Sequence, residues 1–224
     1  MDSAPLRLSP YQDTSFDHGA ISRFNAWFFT VLAGQINRYA RLHKELAFDG
    51  IPPANVVELG AGCGANVGWM PAGVRLYALE PNRRMHDALR KTCSRAGVEL
   101  VLLPTGAERM PFEDASVDEV VCSLVLCTVG DADAVLAEVG RVLRPGGHFR
   151  FVEHIAAPQG GMRGWVQLKI RRPWGWIFEG CDPHRDTLAR IEAAGFTSVV
   201  AERRKFRRSP FWPVNTAAWG IATR

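Results

Sequence analysis

The chain has 224 residues, of which 47% are hydrophobic, and a formal net charge of +4. This length and apolar fraction suffice for one domain with a full three-layer core, and they exclude a disordered chain. The small charge excess is not spread over a face with aromatic residues between the charges, so we expect no nucleic-acid partner. Five cysteines, an odd number without paired or zinc-binding spacing, argue against a disulfide framework and lead us to expect no metal.

The N-terminal part carries apolar residues at three- and four-residue steps over 18–48, which predicts one or two helices ahead of the sheet. We expect 1–48 to form a helical cap and 49–224 to form the main domain. The longest apolar run, 26–34, is far below the roughly 20 residues that cross a bilayer, and the first residues lack a signal-peptide pattern. We therefore expect a soluble cytoplasmic protein with reduced thiols and no transmembrane segment.

The rest of the chain alternates between apolar strand patterns and amphipathic helix patterns. The predicted strands are 55–59, 74–80, 98–103, 118–124, 147–154, 197–203 and 215–222. The predicted helices are 82–96, 131–143 and 183–194. Such alternation is typical of an α/β fold in which helices cover both faces of a mostly parallel sheet.

The first predicted strand runs into a glycine-rich turn. Gly60, Gly62 and Gly64 let the backbone turn tightly where a ligand can lie against it. Glu80 ends the next apolar run about 20 residues later, where such folds place a carboxylate that accepts hydrogen bonds from ribose hydroxyls. The spacing also fits a dinucleotide site. Glu58, however, would repel a pyrophosphate and attract the cationic amino end of S-adenosylmethionine (SAM).

Five motifs follow one another in order, at 58–64, 80–82, 106–112, 116–118 and 143–147. Together they resemble the successive motifs of class I SAM-dependent methyltransferases. A closer likeness, over about 58–186, is to the alkyl thiol S-methyltransferase group. This likeness rests on Gly-Ala-Asn at 64–66, Cys-Ser-Leu-Val-Leu-Cys at 122–127, Val-Glu-His at 152–154, Glu-Gly-Cys at 179–181 and Arg-Asp at 185–186.

The resemblance implies a Rossmann-like, seven-stranded, mostly parallel sheet of order 3-2-1-4-5-7-6 with an antiparallel last strand. The ligand would lie at the carboxyl ends of the strands, at the switch between strands 1 and 4. The resemblance also implies which residues contact SAM or its product, S-adenosylhomocysteine (SAH). They are Glu58, Gly60, Gly62, Gly64, Glu80, Pro81, Asn82, Gly106, Ala107, Glu108 and Leu124.

One motif departs from the family pattern. Gly106 stands where the family commonly has an aspartate that reaches the adenine amino group, and glycine cannot make that contact. Ala107 can still offer its backbone N–H to the adenine ring, and Glu108 is expected to substitute in part for the missing carboxylate.

The segment 161–179 is rich in aromatic residues and interrupted by glycine and proline. We expect it to belong to an inserted lid at about 158–182 that forms an apolar pocket for a small hydrophobic acceptor. A peripheral membrane patch is the alternative, because Lys169, Arg171 and Arg172 flank the aromatic residues. The expected acceptor-binding residues are Phe24, Trp27, Phe28, His154, Trp165, Trp174, Trp176, Cys181 and Arg185.

Methyl transfer from a sulfonium requires mainly alignment and desolvation of the two partners. A free thiol is a few per cent thiolate at neutral pH and strongly nucleophilic, so it needs little or no general base. We therefore expect a thiol sulfur as the acceptor, with His154 as the candidate catalytic residue. O- or N-methylation of a natural product or lipid is the alternative, as is a SAM-binding regulator without turnover. The sequence does not specify the oligomeric state.

Overall fold

The computed structural model describes residues 4–158, 160–206 and 209–224. Its strands are β1 (Asn55–Leu59), β2 (Arg75–Leu79), β3 (Glu99–Leu103), β4 (Val117–Ser123), β5 (Leu143–His154), β6 (Ser198–Lys205) and β7 (Thr216–Thr223). They form one sheet of order β3-β2-β1-β4-β5-β7-β6. The first five strands pair in parallel, whereas β7 is antiparallel to β5 and to β6. The predicted strand order and antiparallel last strand are confirmed.

In the described part of the chain, five α-helices surround the sheet: α1 (Ala20–Phe48), α2 (His86–Ala96), α3 (Ala132–Val142), α4 (Met162–Ile177) and α5 (Thr187–Ala193). Residues 18–48, expected as one or two helices, contain the single 29-residue helix α1. Local chemistry sets several helix ends. The Asp131 side chain accepts the N–H groups of Asp133 and Ala134 at the start of α3, and Gly97 ends α2 in the left-handed conformation.

Most of the segment 161–179, for which the sequence pattern predicted no helix, is the 16-residue helix α4. Pro173 lies inside this helix. Proline in a helix interior removes one backbone N–H and normally signals a helix end, which is why the sequence pattern concealed α4. On its inner face the buried Gln167 accepts the N–H of Ala157 at 2.7 Å and donates to the carbonyl of Pro213 at 2.8 Å.

Both faces of the central strand β1 are buried, as the fold class requires. Val57 belongs to one apolar cluster, to which α3 and α5 contribute, and its neighbour Val56 belongs to a second cluster, to which α1 and α2 contribute. Neighbouring residues of a strand point to opposite faces, so this division indicates one pair of helices on each side. Over residues 4–158, 160–206 and 209–224, no helix combines the length and apolarity needed to cross a bilayer.

Candidate active site

A cavity of about 710 Å³ lies at the carboxyl ends of the central strands. One part of its wall, the glycine-loop half, comes from residues 60–63, 65–66, 79–82 and 105–108, and Gly64 lies outside this wall. The other part, the aromatic half, comes from α1, the loop after β4, the end of β5 and the C-terminal part of α4 with the residues that follow it. Phe206, Ser209, Phe211 and Val214 complete this half. The two halves share one continuous space, which places two ligands within reach of each other.

The structure gives different reasons for glycine at the three positions of the loop. A Cβ atom on Gly60 would lie 2.7 Å from a methyl carbon of Val125, and one on Gly64 would lie 3.0 Å from Thr92. A Cβ on Gly62 would meet no protein atom nearer than the carbonyl oxygen of Gly60, at 4.0 Å. All three have positive φ. Packing therefore demands glycine at 60 and 64, whereas Gly62 leaves space for a ligand against the backbone.

Glu80 ties the glycine loop to the end of β2. Its Oε2 accepts the N–H of Gly62 at 2.7 Å, and its Oε1 accepts the N–H of Asn82 at 2.8 Å. Burial raises the pKa of this carboxyl to about 7. Each carboxylate oxygen has a further lone pair, so Glu80 can still accept hydroxyl donors from the cavity, which Pro81 and Asn82 also line.

Glu58 lies behind the cavity wall, and Asn66 and Lys44 line the cavity in front of it. Asn66 donates to Glu58 Oε1 at 2.7 Å, whereas Oε2 is buried without a partner among the described residues. Burial raises the pKa of Glu58 to about 7 and lowers that of Lys44 to about 8. A ligand would therefore meet Glu58 through Asn66 or water. The sequence argument missed Lys44, whose Nζ donates to Asn37 Oδ1 at 2.7 Å.

The departure at Gly106 has a structural counterpart. A Cβ atom on Gly106 would lie 2.6 Å from Glu108 Oε2, so the Glu108 carboxylate occupies the space where a longer side chain at 106 would begin. The N–H of Gly106 donates to Thr14 Oγ1 at 2.9 Å. Gly106, Ala107 and Glu108 all line the cavity.

Leu124 is held in a strained conformation where the loop after β4 meets the cavity. Its φ is 61°, which is rare for a residue with a side chain and costs on the order of 1–3 kcal/mol. The buried Glu153 fixes this loop, because its Oε1 accepts the N–H groups of Val125 at 2.9 Å and Leu126 at 3.2 Å. The sequence argument placed Leu124 at the cavity, and it gave Glu153 as part of a family motif without indicating this role.

Glu179 joins three parts of the site. Its Oε1 accepts the hydroxyl of Ser22 on α1 at 2.6 Å, and its Oε2 accepts the side-chain amide of Asn82 at 2.9 Å. Its φ of 47° is again positive. Glu179 thereby connects α1, the segment after α4 and the glycine-loop half. The sequence supplied it as part of a family motif without indicating this role.

Four of the nine expected acceptor-binding residues line the aromatic half: Phe28, His154, Trp174 and Cys181. Phe178 lies between the aromatic members, with ring centroids 5.4 Å from Phe28 and 4.6 Å from Trp174. These rings form an apolar wall next to the sulfur of Cys181.

The structure does not bring the other five into the cavity wall. Trp27, Trp165 and Trp176 are 60%, 61% and 70% exposed, and Phe24 is a half-exposed neighbour of Phe28. In α4 each residue turns by about 100°, so positions 165 and 176 lie on the face opposite position 174. Because the sequence pattern did not reveal α4, the sequence argument placed Trp165, Trp174 and Trp176 in one pocket.

Arg185 also acts outside the cavity wall. Its guanidinium donates to the carbonyl oxygens of Leu126 at 2.6 Å and Val129 at 2.8 Å. The side chain therefore supports the loop after β4 from the side away from the acceptor space.

A buried sulfur cluster closes the aromatic half. Cys127 Sγ lies 3.7 Å and His154 Nε2 lies 3.2 Å from Cys181 Sγ, and Trp174 Nε1 donates to the same sulfur at 3.3 Å. The hydrogen bond from Cys127 lowers the pKa of Cys181, and the charge of His154 adds to this effect against the opposing effect of burial. Burial disfavours a charge on His154, but the neighbouring thiolate raises its pKa. The arrangement favours a Cys181 thiolate inside an apolar cavity.

Comparisons with known proteins agree with this site. Residues 57–151 match the family model described as a methyltransferase domain. Thiol S-methyltransferase TMT1B of Homo sapiens is 38% identical over 152 residues, which cover 66% of this chain and 62% of that protein. The Rattus norvegicus TMT1B is 37% identical over 174 residues, covering 75% and 70%. The chain thus spans less than two thirds of the human relative's length.

Solved structures show the same fold. A chain in the complex of the Haloferax volcanii Trm112 methyltransferase activator with a methyltransferase has a TM-score of 0.68 at 16% identity, covering 93% of this chain and 99% of that one. A SAM-dependent methyltransferase from Thermotoga maritima has a TM-score of 0.57 at 20% identity, covering 88% and 99%. The sheet order, the glycine loop and these relatives lead to one conclusion: the chain belongs to the class I SAM-dependent methyltransferases and lies close to the thiol S-methyltransferase group.

Proposed function

We propose that the protein transfers the methyl group of SAM to the sulfur of a small hydrophobic thiol and releases SAH. The observation that carries the proposal is the single cavity, in which a glycine loop flanked by carboxylates faces an apolar wall with a sulfur cluster. The names of the curated relatives support a thiol as the acceptor.

The glycine-loop half offers what SAM requires. In this proposal the backbone at Gly60, Gly62 and Gly64 approaches the cofactor, and Gly62 provides the open face. Glu80 accepts the ribose hydroxyls with the lone pairs that Gly62 and Asn82 leave free, next to Pro81. The unpaired Oε2 of Glu58 balances the charge of the amino group through water or Asn66.

The adenine would lie against residues 106–108, with the Glu108 carboxylate in place of the family's aspartate. Leu124 would close the opposite side, since its strained backbone holds it at the cavity. These roles are proposals that rest on the positions of the side chains.

The aromatic half favours the reaction physically. SAM supplies a methyl group on a positively charged sulfur, ready for an in-line attack. Because a cation and a thiolate lose charge as the methyl moves, walls built by Phe28, Trp174 and Phe178 favour the transfer by excluding water. His154, beside the acceptor space, is the proposed residue that orients the thiol or takes its proton.

We further propose that residues 1–48 act as a cap and about 158–182 act as a lid on the domain 49–224. The described contacts support a shared cover: Asn25 of α1 donates to the carbonyl of Ile177 at 2.8 Å. Residues 1–3 and Gln159 lie outside the described residues. All five cysteines are free and buried, which supports a reducing compartment such as the cytoplasm.

The exposed residues Trp27, Trp165 and Trp176 also support peripheral contact with a membrane surface. Trp165 and Trp176 lie on the outer face of α4 together with Lys169, whose Nζ is 5.7 Å from the Trp165 ring centroid, and Arg172. Flotation with anionic liposomes tests this proposal. Binding that is lost in a Trp165→Ala/Trp176→Ala double variant supports it, and absence of wild-type binding contradicts it.

The deciding experiment for the main proposal is an acceptor panel of alkyl thiols, phenols and amines, scored by SAH release. We expect turnover with hydrophobic thiols. Release with phenols or amines alone would favour the O- or N-methylation alternative. If calorimetry shows SAM binding but no acceptor yields SAH, the regulator alternative is favoured.

A further inference from the structure

The fold brings together three soft or borderline ligand atoms that are far apart in the sequence. Cys127 follows β4, His154 ends β5, and Cys181 follows α4. Their two Sγ atoms and a ring nitrogen all lie within 4.8 Å of one another, and all three residues are buried. The spacing 127, 154, 181 matches no sequence motif for zinc, so the cluster emerges from the fold alone.

Two of the three separations between the ligand atoms are close to those around a tetrahedral metal ion. With zinc–sulfur bonds of about 2.3 Å and zinc–nitrogen bonds of about 2.0 Å, two thiolates in a tetrahedron lie about 3.8 Å apart, and a thiolate and an imidazole nitrogen lie about 3.5 Å apart. The Cys127–Cys181 sulfur separation is 3.7 Å, and the distance from His154 Nε2 to Cys181 Sγ is 3.2 Å. His154 Nε2 would have to move a few tenths of an ångström away from Cys181 Sγ to admit the ion. The third separation, between His154 and Cys127, lies within 4.8 Å against about 3.5 Å in a tetrahedron, so the imidazole would also approach Cys127 Sγ by as much as about 1.3 Å.

The surroundings suit such an ion as well. Two thiolates and a neutral imidazole balance a divalent cation, so the loaded site carries no net charge, as deep burial requires. Trp174 Nε1 donates to Cys181 Sγ at 3.3 Å, the kind of outer contact that orients a metal ligand. Soft thiolate ligands select zinc or a similarly soft cation over magnesium or calcium.

The three residues leave one tetrahedral position free. They line the cavity together with Trp174 and Phe178, so the free position faces the space assigned to the acceptor. Three protein ligands with a fourth position for substrate are typical of catalytic zinc sites, whereas structural sites use four. A thiol bound to such an ion loses its proton outright.

We propose that Cys127, His154 and Cys181 bind one zinc ion, whose fourth position takes the acceptor thiol as a thiolate. The inference rests on the proposed thiol methylation. The thiol releases its proton to solvent on binding, and a sulfur lone pair then forms the new carbon–sulfur bond to the methyl group. The donor's carbon–sulfonium bond breaks with its electrons remaining on the sulfur of SAH. The neutral thioether is a weak ligand and dissociates. His154 then acts through the ion rather than as a base.

Metal content tests the inference without turnover. Protein purified in reducing buffer is stripped with a chelator and titrated with Zn²⁺ or Co²⁺. We expect about one ion per chain and, with cobalt, the visible and near-ultraviolet absorption of a tetrahedral thiolate site. An alkyl thiol added without SAM should shift that spectrum, because it enters the fourth position.

Variants locate the ion. Cys127→Ser and Cys181→Ser should each lose the cobalt–thiolate absorption, whereas Cys93→Ser, which changes a buried cysteine on α2, should keep it. Circular dichroism checks that each variant is folded. If a variant unfolds, a second measurement on wild-type protein takes its place. A thiol-blocking reagent should displace zinc from the site, and a metal-sensitive dye detects the released ion.

Several outcomes would overturn the inference. They are fewer than about 0.1 equivalents of bound metal in wild-type protein after zinc loading, a spectrum that survives both serine variants, a spectrum indifferent to the alkyl thiol, or a Cys127–Cys181 disulfide under reducing conditions. SAH release from thiols by metal-free enzyme would leave the proposed function standing while the zinc inference fails. Metal binding without turnover of any thiol would leave the metal site standing while the proposed function fails.

Discussion

The two halves of the cavity are held by different means. In the glycine-loop half, buried carboxylates fix the backbone: Glu80 accepts two N–H groups, and Glu179 ties Asn82 to α1. The aromatic half is held by ring contacts around Phe178 and by the cluster at Cys181. Fixed backbone suits a ligand that never changes, whereas side chains can be exchanged to suit an acceptor. Changes in the first half should therefore affect SAM binding, and changes in the second should affect acceptor use.

The largest expected effect is in the glycine-loop half. In Gly62→Leu the side chain enters the open space beside the loop, so SAM affinity should fall by about 1000-fold or more, roughly 4 kcal/mol. Isothermal calorimetry with SAM and SAH measures the loss. Because Gly62 has a φ of +56°, the variant also carries backbone strain of about 1–2 kcal/mol.

Gly73→Leu is the matched control for that strain. Gly73 has a φ of +81°, a Cβ atom there would meet no other atom within 4 Å, and the residue is exposed in a turn before β2. This variant should lose comparable stability and keep SAM affinity. Near-normal SAM affinity in Gly62→Leu would contradict the assignment of this loop to the cofactor.

The second effect is a pH dependence that comes from Glu58. Its pKa is about 7 in the folded protein against 4.5 for an ordinary glutamate, so the folded state holds the proton more tightly. The stability this gives the ligand-free protein is fully present below pH 4.5 and is lost as the pH rises through about 7. The loss amounts to about 3 kcal/mol. Glu58→Gln should remove this part of the pH dependence and leave the part that comes from Glu80, as measured by urea unfolding at several pH values.

SAM binding should respond in the opposite direction. The cationic amino group favours the ionised Glu58, so wild-type affinity should rise as the pH passes 7, and Glu58→Gln should reduce that rise. Glu80 titrates in the same range and persists in the variant, so the difference between the two proteins isolates Glu58. Glu113→Gln, at an exposed position, serves as the control. Parallel wild-type and Glu58→Gln profiles would remove Glu58 from the site.

The third effect distinguishes acceptor use, expected in the aromatic half, from SAM binding, expected in the glycine-loop half. Trp174→Leu removes a ring from the cavity wall and an N–H donor from Cys181, so kcat/KM for thiols should fall about tenfold, roughly 1.4 kcal/mol. SAM affinity should stay within about twofold of wild type. Trp176→Leu, two residues away on the outer face of α4, should leave both unchanged. Equal losses in the two variants would contradict the aromatic half as the acceptor site.

The same contrast explains what the sequence could predict. The glycine-loop half comes from residues between 60 and 108, where motif spacing and strand ends fall in chain order, so Gly62 and Glu80 were identifiable. The aromatic half assembles residues from α1 to Val214. No local pattern joins Cys127 to Cys181, and Pro173 hid the helix that separates Trp174 from Trp176.

The strand order was predictable for a related reason. Apolar runs mark strands that are buried on both faces, and the family resemblance supplied their order. The sequence offered Glu153 and Glu179 only as members of family motifs, because the N–H and O–H groups from which they accept hydrogen bonds come together only in the folded chain. Lys44 was missed because its place on α1 gives no sign that its ammonium reaches the carbonyl of Ala65 and the cavity.

The smallest expected effect concerns the adenine edge of the glycine-loop half. If the Glu108 carboxylate replaces the family's aspartate, Glu108→Ala should weaken SAM about fivefold, roughly 1 kcal/mol for one hydrogen bond. Gly106→Asp alone should also weaken SAM, because its Cβ would lie 2.6 Å from Glu108 Oε2 and two carboxylates would share one space. The double variant removes that conflict and places a carboxylate at position 106, so SAM affinity should recover to near wild type. Calorimetry on the three variants completes the cycle, and losses that simply add would show that positions 106 and 108 do not serve the same contact.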